Sequence, residues 1–132
     1  MRQTQPTTMP HAKPTILLID DSPDNLQILG DILSEAGYEV MFAESGLSGL
    51  ERTRFMKPDL ILMDIGISGN KDGIETAELI NKDYNIPIIF MTGNSDVSTT
   101  KRAKKINPID ILIKPISENQ LKTKLLSLKT VD

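Results

Sequence analysis

Short apolar runs, each stopped by a polar residue and followed by a segment of helical spacing, constrain this chain more than anything else in it. They are Thr15-Ile-Leu-Leu-Ile19, Leu60-Ile-Leu-Met63 and Pro87-Ile-Ile-Phe-Met91, with Ile109 to Ile113, which Asp110 interrupts, as the last strand in chain order. A strand with one face in water alternates apolar and polar side chains. A continuously apolar run has to be covered on both faces. Tyr38 to Phe42 reads as one further strand, second in chain order. Between the strands, Ser22-Pro23 supplies an N-cap and a proline at the first helical position, and Leu26, Leu29, Leu33 and Ala36 repeat at helical spacing before Gly37. Leu47 and Leu50 mark a second helix, and Ile74, Ala77 and Ile80 a third. A polar helix is expected from about Asp96 to Ile106, and a last one with Leu121, Leu125 and Leu128 on one face. Five such units in series predict an α/β fold, a five-stranded parallel sheet with helices on both faces.

Length and composition bound the rest. The 132 residues suit one domain of the usual ~150. The expected layout is a flexible leader at 1–14, rich in Thr, Pro and Gln, a folded domain at 15–128 and a tail at 129–132. There is no cysteine, so disulfides, thiolate catalysis and cysteine-type zinc sites are excluded. The single histidine, His11, sits in the polar leader, which argues against a Ser-His-Asp triad or a multi-histidine metal site. The leader lacks the apolar core of a signal peptide, and no apolar stretch is long enough to span a bilayer, so the default is a cytoplasmic protein without membrane contact.

Net charge is −3, yet residues 101–129 carry 8 basic and 2 acidic side chains. The Lys101-Arg102-Lys104-Lys105 cluster fits either a docking face or a solvated helix face. With no helix-turn-helix pattern and 4% aromatic residues, direct DNA binding is not expected.

In an open parallel sheet, ligands bind outside the carboxyl ends of the strands, at the switch in strand order. The residues there are Asp20 and Asp21, Asp64, Thr92 and Lys114. Three carboxylates in one small site repel one another, and a hard divalent cation relieves that repulsion. Mg²⁺ (or Mn²⁺) suits oxygen ligands and keeps several waters. A lysine beside the cluster can hold a phosphoryl oxygen, with the Thr92 hydroxyl and the Gly93 amide as further donors. Together these are the parts of in-line phosphoryl transfer to a carboxylate.

In those residues the chain resembles the response-regulator receiver domains of two-component signalling, over about Pro14 to Leu128. The motifs that carry the resemblance are Ile-Leu-Leu-Ile-Asp20-Asp21-Ser-Pro, Leu-Ile-Leu-Met-Asp64-Ile, Asp72-Gly73-Ile-Glu-Thr-Ala, Phe-Met-Thr92-Gly93 and Ile-Leu-Ile-Lys114-Pro115. Each is weak singly; in this order and spacing they are specific. The resemblance implies a doubly wound flavodoxin-like sheet of strand order 2-1-3-4-5. It implies Asp64 as phosphoacceptor from the phosphohistidine of a sensor histidine kinase or a phosphotransfer protein. It implies Asp21 and Asp64 as direct Mg²⁺ ligands, Asp20 acting largely through water, and the Gly66 carbonyl as main-chain ligand. Lys114 and Thr92 would hold the phosphoryl oxygens, and the Lys114-Pro115 peptide would be cis.

Two features depart from the family's commonest pattern. Gly73 lies nine residues after Asp64, which makes the intervening loop one residue longer. Ile111 stands three residues before Lys114, where the family usually has an aromatic switch residue. Gly66 and Asn94 occupy the two positions that tune acyl-phosphate hydrolysis in the family. The resemblance further implies a module that catalyses only its own phosphorylation and dephosphorylation. It would signal to a downstream effector through the fourth helix, fifth strand and last helix, with a phosphorylation-linked homodimer as a further option. Asp-Ser-Pro-Asp-Asn-Leu after the first strand is similar to receivers of hybrid kinases and other multidomain regulators.

Other classes stay in view. An aspartyl-nucleophile phosphohydrolase would place two aspartates one residue apart after the first strand, whereas Asp20 and Asp21 are adjacent. A flavin or nucleotide binder needs a glycine-rich phosphate loop there, and Asp20-Asp21-Ser-Pro would repel phosphate. A pseudo-receiver that never takes phosphate is disfavoured by the intact set of five. Asp72 is expected to cap the helix at Gly73 rather than bind metal, and Met63 and Met91 to lie in buried strands.

Overall fold

A computed structural model describes residues 13–93 and 96–129. Residues 1–12 with His11, the Asn94-Ser95 pair and the last three residues lie outside the described residues. The chain order is β1 (Thr15–Ile19), α1 (Pro23–Glu35), β2 (Glu39–Ala43), α2 (Gly46–Met56), β3 (Leu60–Asp64), α3 (Gly73–Asp83), β4 (Ile88–Thr92), α4 (Val97–Lys104), β5 (Asp110–Ile113) and α5 (Glu118–Lys129). All four pairings are parallel and the strand order is β2-β1-β3-β4-β5. This is the doubly wound order that the family resemblance implied.

The period-2 alternation of the central strands splits the core into two layers. Ile16 and Leu18 face Leu26, Leu29 and Leu33 of α1 and Leu121 and Leu125 of α5. Leu17 and Ile19 face the other way, into the layer of Ile74, Ala77 and Ile80 of α3 and Ala103 of α4. Met63 and Met91 are fully buried, as the strand reading requires. Removing a side chain such as the fully buried Leu33 would cost about 2–5 kcal/mol as Leu→Ala.

Close approaches between elements are made at glycines. A Cβ on Gly49 would lie 2.6 Å from Ile19, and one on Gly46 would lie 2.4 Å from Thr76 Oγ1, so α2 lies tight against β1 and α3.

Some boundaries differ from the sequence reading, each for a visible reason. Tyr38 is a strand former by type, but its N–H donates to Leu33 O (3.1 Å), so β2 starts at Glu39, whose N–H reaches Pro14 O (2.9 Å). The α4 helix stops at Lys104, two residues short of Ile106. Ile106 and Asn107 bond back only three residues, to Ala103 O and Lys104 O, and Asn107 takes a left-handed φ of 57° before Pro108.

Candidate functional site

Strand ends and helix caps build the site. Asp20 and Asp21 follow β1, and Ser22 then caps α1, its side chain accepting from Asn25 N–H. Asp64 is the last residue of β3 and Thr92 the last of β4. The Lys114 N–H donates to Thr92 O (2.8 Å), which extends the β4–β5 ladder by one residue and sets the lysine beside Asp64. The Lys114–Pro115 peptide is cis.

The side chains converge. Lys114 Nζ stands 3.1 Å from Asp20 Oδ2 and 3.1 Å from Asp64 Oδ2. Asp20 is wholly buried, a costly place for a carboxylate without donors. It has three: Ser22 N–H at Oδ1 (2.9 Å), and Asn25 Nδ2–H (3.3 Å) and Lys114 Nζ at Oδ2. Asp64 is also buried, and its Oδ1 accepts the Gly66 N–H at 3.1 Å. Asp21 is exposed and takes the Ser68 N–H from the β3–α3 loop at 3.1 Å.

The electrostatics follow from this crowding. Burial, and then the Asp20 charge, push the Asp64 carboxyl above its ordinary value, against the pull of the Gly66 N–H and Lys114. Burial alone would lower Lys114, but Asp64 and Asp20 outweigh it and hold the ammonium above its ordinary value.

Asp20, Asp21 and Asp64 each offer an oxygen within 4.8 Å of the others. An all-oxygen set with one internal ammonium fits a hard divalent cation that keeps part of its water shell. Gly66 lies beside this cluster: a Cβ there would be 3.8 Å from Asp64 Oδ1, so the glycine leaves that side of the carboxylate open. Gly93 has nothing within 4 Å of where its Cβ would be. Thr92 is buried at the end of β4. Ile111 is half-buried and pairs in register with the fully buried Phe90, so it packs as a core residue. Asp72 caps α3 in a reciprocal capping box with Glu75, as expected, and its Oδ2 also pairs with Arg102 of α4 at 3.0 Å.

The structure therefore brings Asp20, Asp21, Asp64, Gly66 and Lys114 into one cluster, with Thr92 and Gly93 on the same sheet edge. Asn94 lies outside the described residues. Sequence reasoning missed Asn25, Ser68 and the Asp72–Arg102 pair. Only Asn25 carried a signal: a polar residue three positions after an N-cap points back over the first turn, toward the strand end. Among the described residues no helix is long and apolar enough to cross a membrane.

Comparison with known proteins agrees with this arrangement. The family model described as the response regulator receiver domain matches residues 16–126. The chain is 40% identical over 112 residues to the transcriptional regulatory protein ZraR of Klebsiella oxytoca, covering 83% of the chain and 25% of that protein. It is 34% identical over 118 residues to the signal transduction histidine-protein kinase BarA of Escherichia coli K12, covering 87% of the chain and 13% of the kinase. The chain thus spans a quarter or less of the length of these two curated relatives. Among solved structures, a two-component response regulator from Clostridium difficile superposes with a TM-score of 0.84 at 28% identity, over 89% of this chain and 97% of the other. The signal receiver domain of a modulated diguanylate cyclase from Desulfovibrio desulfuricans G20 superposes with a TM-score of 0.81 at 33% identity, over 87% and 92%.

Proposed function

This chain belongs to the response regulator receiver domain family, and from that premise we propose that Asp64 is its phosphoacceptor. The observation that carries the reading is Lys114 Nζ, 3.1 Å from both Asp20 Oδ2 and Asp64 Oδ2 at the mouth of a three-carboxylate cluster. A structural lysine needs one carboxylate. A lysine shared between a buried aspartate and a strand-end aspartate is placed to follow charge as it moves onto a phosphoryl group.

In the reaction, an Asp64 oxygen attacks the phosphorus of a phosphohistidine on a histidine kinase or phosphotransfer protein. The new P–O bond forms as the P–N bond breaks, and the imidazole leaves. Asp64 is the nucleophile, and Lys114 turns from its Oδ2 to a phosphoryl oxygen. The Thr92 hydroxyl and Gly93 N–H receive the other oxygens. Asp21, Asp64 and the Gly66 carbonyl would hold Mg²⁺ (or Mn²⁺) directly and Asp20 through water. A cation bound there would supply neutralisation of the charge that develops on the phosphoryl oxygens. Gly66 leaves room beside the acyl phosphate, and Asn94 is the partner position for tuning its hydrolysis.

The output is a change in the α4–β5–α5 face, read by a downstream effector or domain in the cytoplasm, or by a second copy of the chain. No separate substrate is turned over. Residues 15–128 form the receiver.

Intact-protein mass after incubation with Mg²⁺ and acetyl phosphate tests this. One phosphoryl adduct is expected, absent in Asp64→Asn and in the presence of EDTA. An adduct that survives in Asp64→Asn would overturn the assignment.

A further inference from the structure

Asp20 is the most enclosed charge in the site, and its two oxygens are not equally served. Oδ1 takes one backbone donor, the Ser22 N–H, whereas Oδ2 takes two side chains, Asn25 Nδ2–H at 3.3 Å and Lys114 Nζ at 3.1 Å. Lys114 is shared with Asp64, and the proposed function has it turn to the phosphoryl group. Asn25 is fixed: it sits in the first turn of α1, and its own N–H is bound by the Ser22 cap. If Asp64 takes a phosphoryl group, as the proposed function holds, Lys114 turns to that group and Asp20 Oδ2 keeps one side-chain donor.

We infer that Asn25 is a positioning residue for the phosphoryl-bearing state, holding the buried Asp20 carboxylate in place once Lys114 has turned away from it. A buried carboxylate oxygen left without a donor loses its compensation for desolvation. The contribution of Asn25 is therefore larger when Asp64 carries a phosphoryl group than when it does not. A residue that only shaped the metal pocket or the helix start would contribute equally to both states.

The test is calorimetric titration of the intact chain, first with Mg²⁺ alone and then with beryllofluoride at saturating Mg²⁺, so no turnover is read. Asn25→Leu keeps the shape and removes the donor. It is expected to weaken beryllofluoride binding by about tenfold or more, the worth of one hydrogen bond to a charged group, and Mg²⁺ binding by no more than about twofold. Asn25→Asp, which keeps a residue favoured in a helix's first turn, guards against misfolding of the leucine variant. It should leave Mg²⁺ binding equal or tighter while weakening beryllofluoride binding further, because it adds a negative charge beside Asp20.

Equal weakening of both ligands, or no change in either, would overturn the inference with the site reading intact. Wild-type protein that binds neither ligand would overturn the proposed function, and this inference with it.

Discussion

Gly73 is the first residue of α3, and a Cβ there would stand 2.3 Å from the Asp64 carbonyl oxygen, 2.8 Å from Ile65 Cα and 2.9 Å from the Asp64 carbonyl carbon. All three are backbone atoms, so no rotamer change relieves the overlap. The Gly73→Ala substitution must push α3 away from the end of β3. That movement strains the Gly73 N–H to Ile65 O bond, 2.8 Å long here. Overpacking of this kind costs about 1–3 kcal/mol and a lost hydrogen bond about 1 kcal/mol. The stiffer unfolded chain returns about 0.4–1 kcal/mol. The net expectation is a destabilisation of roughly 1–3 kcal/mol, with Mg²⁺ affinity falling as well because the displaced carbonyl belongs to Asp64. Gly93→Ala is the matched control, since nothing lies within 4 Å of its Cβ. It should stay within about 0.5 kcal/mol of wild type. Urea unfolding followed by far-ultraviolet circular dichroism reads both, the chain having no tryptophan. A Gly73→Ala midpoint equal to that of Gly93→Ala, with an unchanged slope, would refute the packing argument.

Two further perturbations address individual contacts. Asp110 is held below its ordinary value: its burial pushes the other way, but the Lys124 ammonium at 2.9 Å and the Ile111 N–H outweigh it. A depressed carboxyl contributes stability that is present above its unfolded value and lost as pH falls through its folded one. Lys124→Met should therefore cost under about 1 kcal/mol at pH 7, since the pair is partly exposed, with the cost fading on acidification below pH ~4. Urea midpoints at both pH values check it, and a difference that grows in acid contradicts the sign. At Asp72, asparagine can still cap α3 but cannot pair with Arg102, so Asp72→Asn should cost less than about 1 kcal/mol and Asp72→Ala about 1 kcal/mol more. Equal losses in the two variants would show that the cap contributes nothing.

What the sequence made legible was set by physics that acts locally. The apolar runs at β1, β3 and β4 have no solvated face, so a parallel sheet between helix layers was forced. Polar residues at the ends of those strands then had to share one edge. Boundaries were blurred where a contact from another element decides them, as at Tyr38, whose N–H is claimed by Leu33 O. The supporting contacts of the site were less readable still. Ser68 meets Asp21 across 47 residues, and Arg102 meets Asp72 across 30. Such pairs depend on where a loop and a helix come to rest, which no spacing encodes.

Lys114 lies 94 residues beyond Asp20 along the chain, so the ammonium and the buried carboxylate it offsets come from opposite ends of the fold. On a chain made from its N-terminus, Asp20, Asp21 and Asp64 all emerge before the ammonium that offsets them. The three central carboxylates share one edge of β1 and β3, while their cation is carried at the end of the strand that closes the far side of the sheet. The edge strand β5 is therefore tied to the centre of the sheet by charge as well as by its apolar side chains.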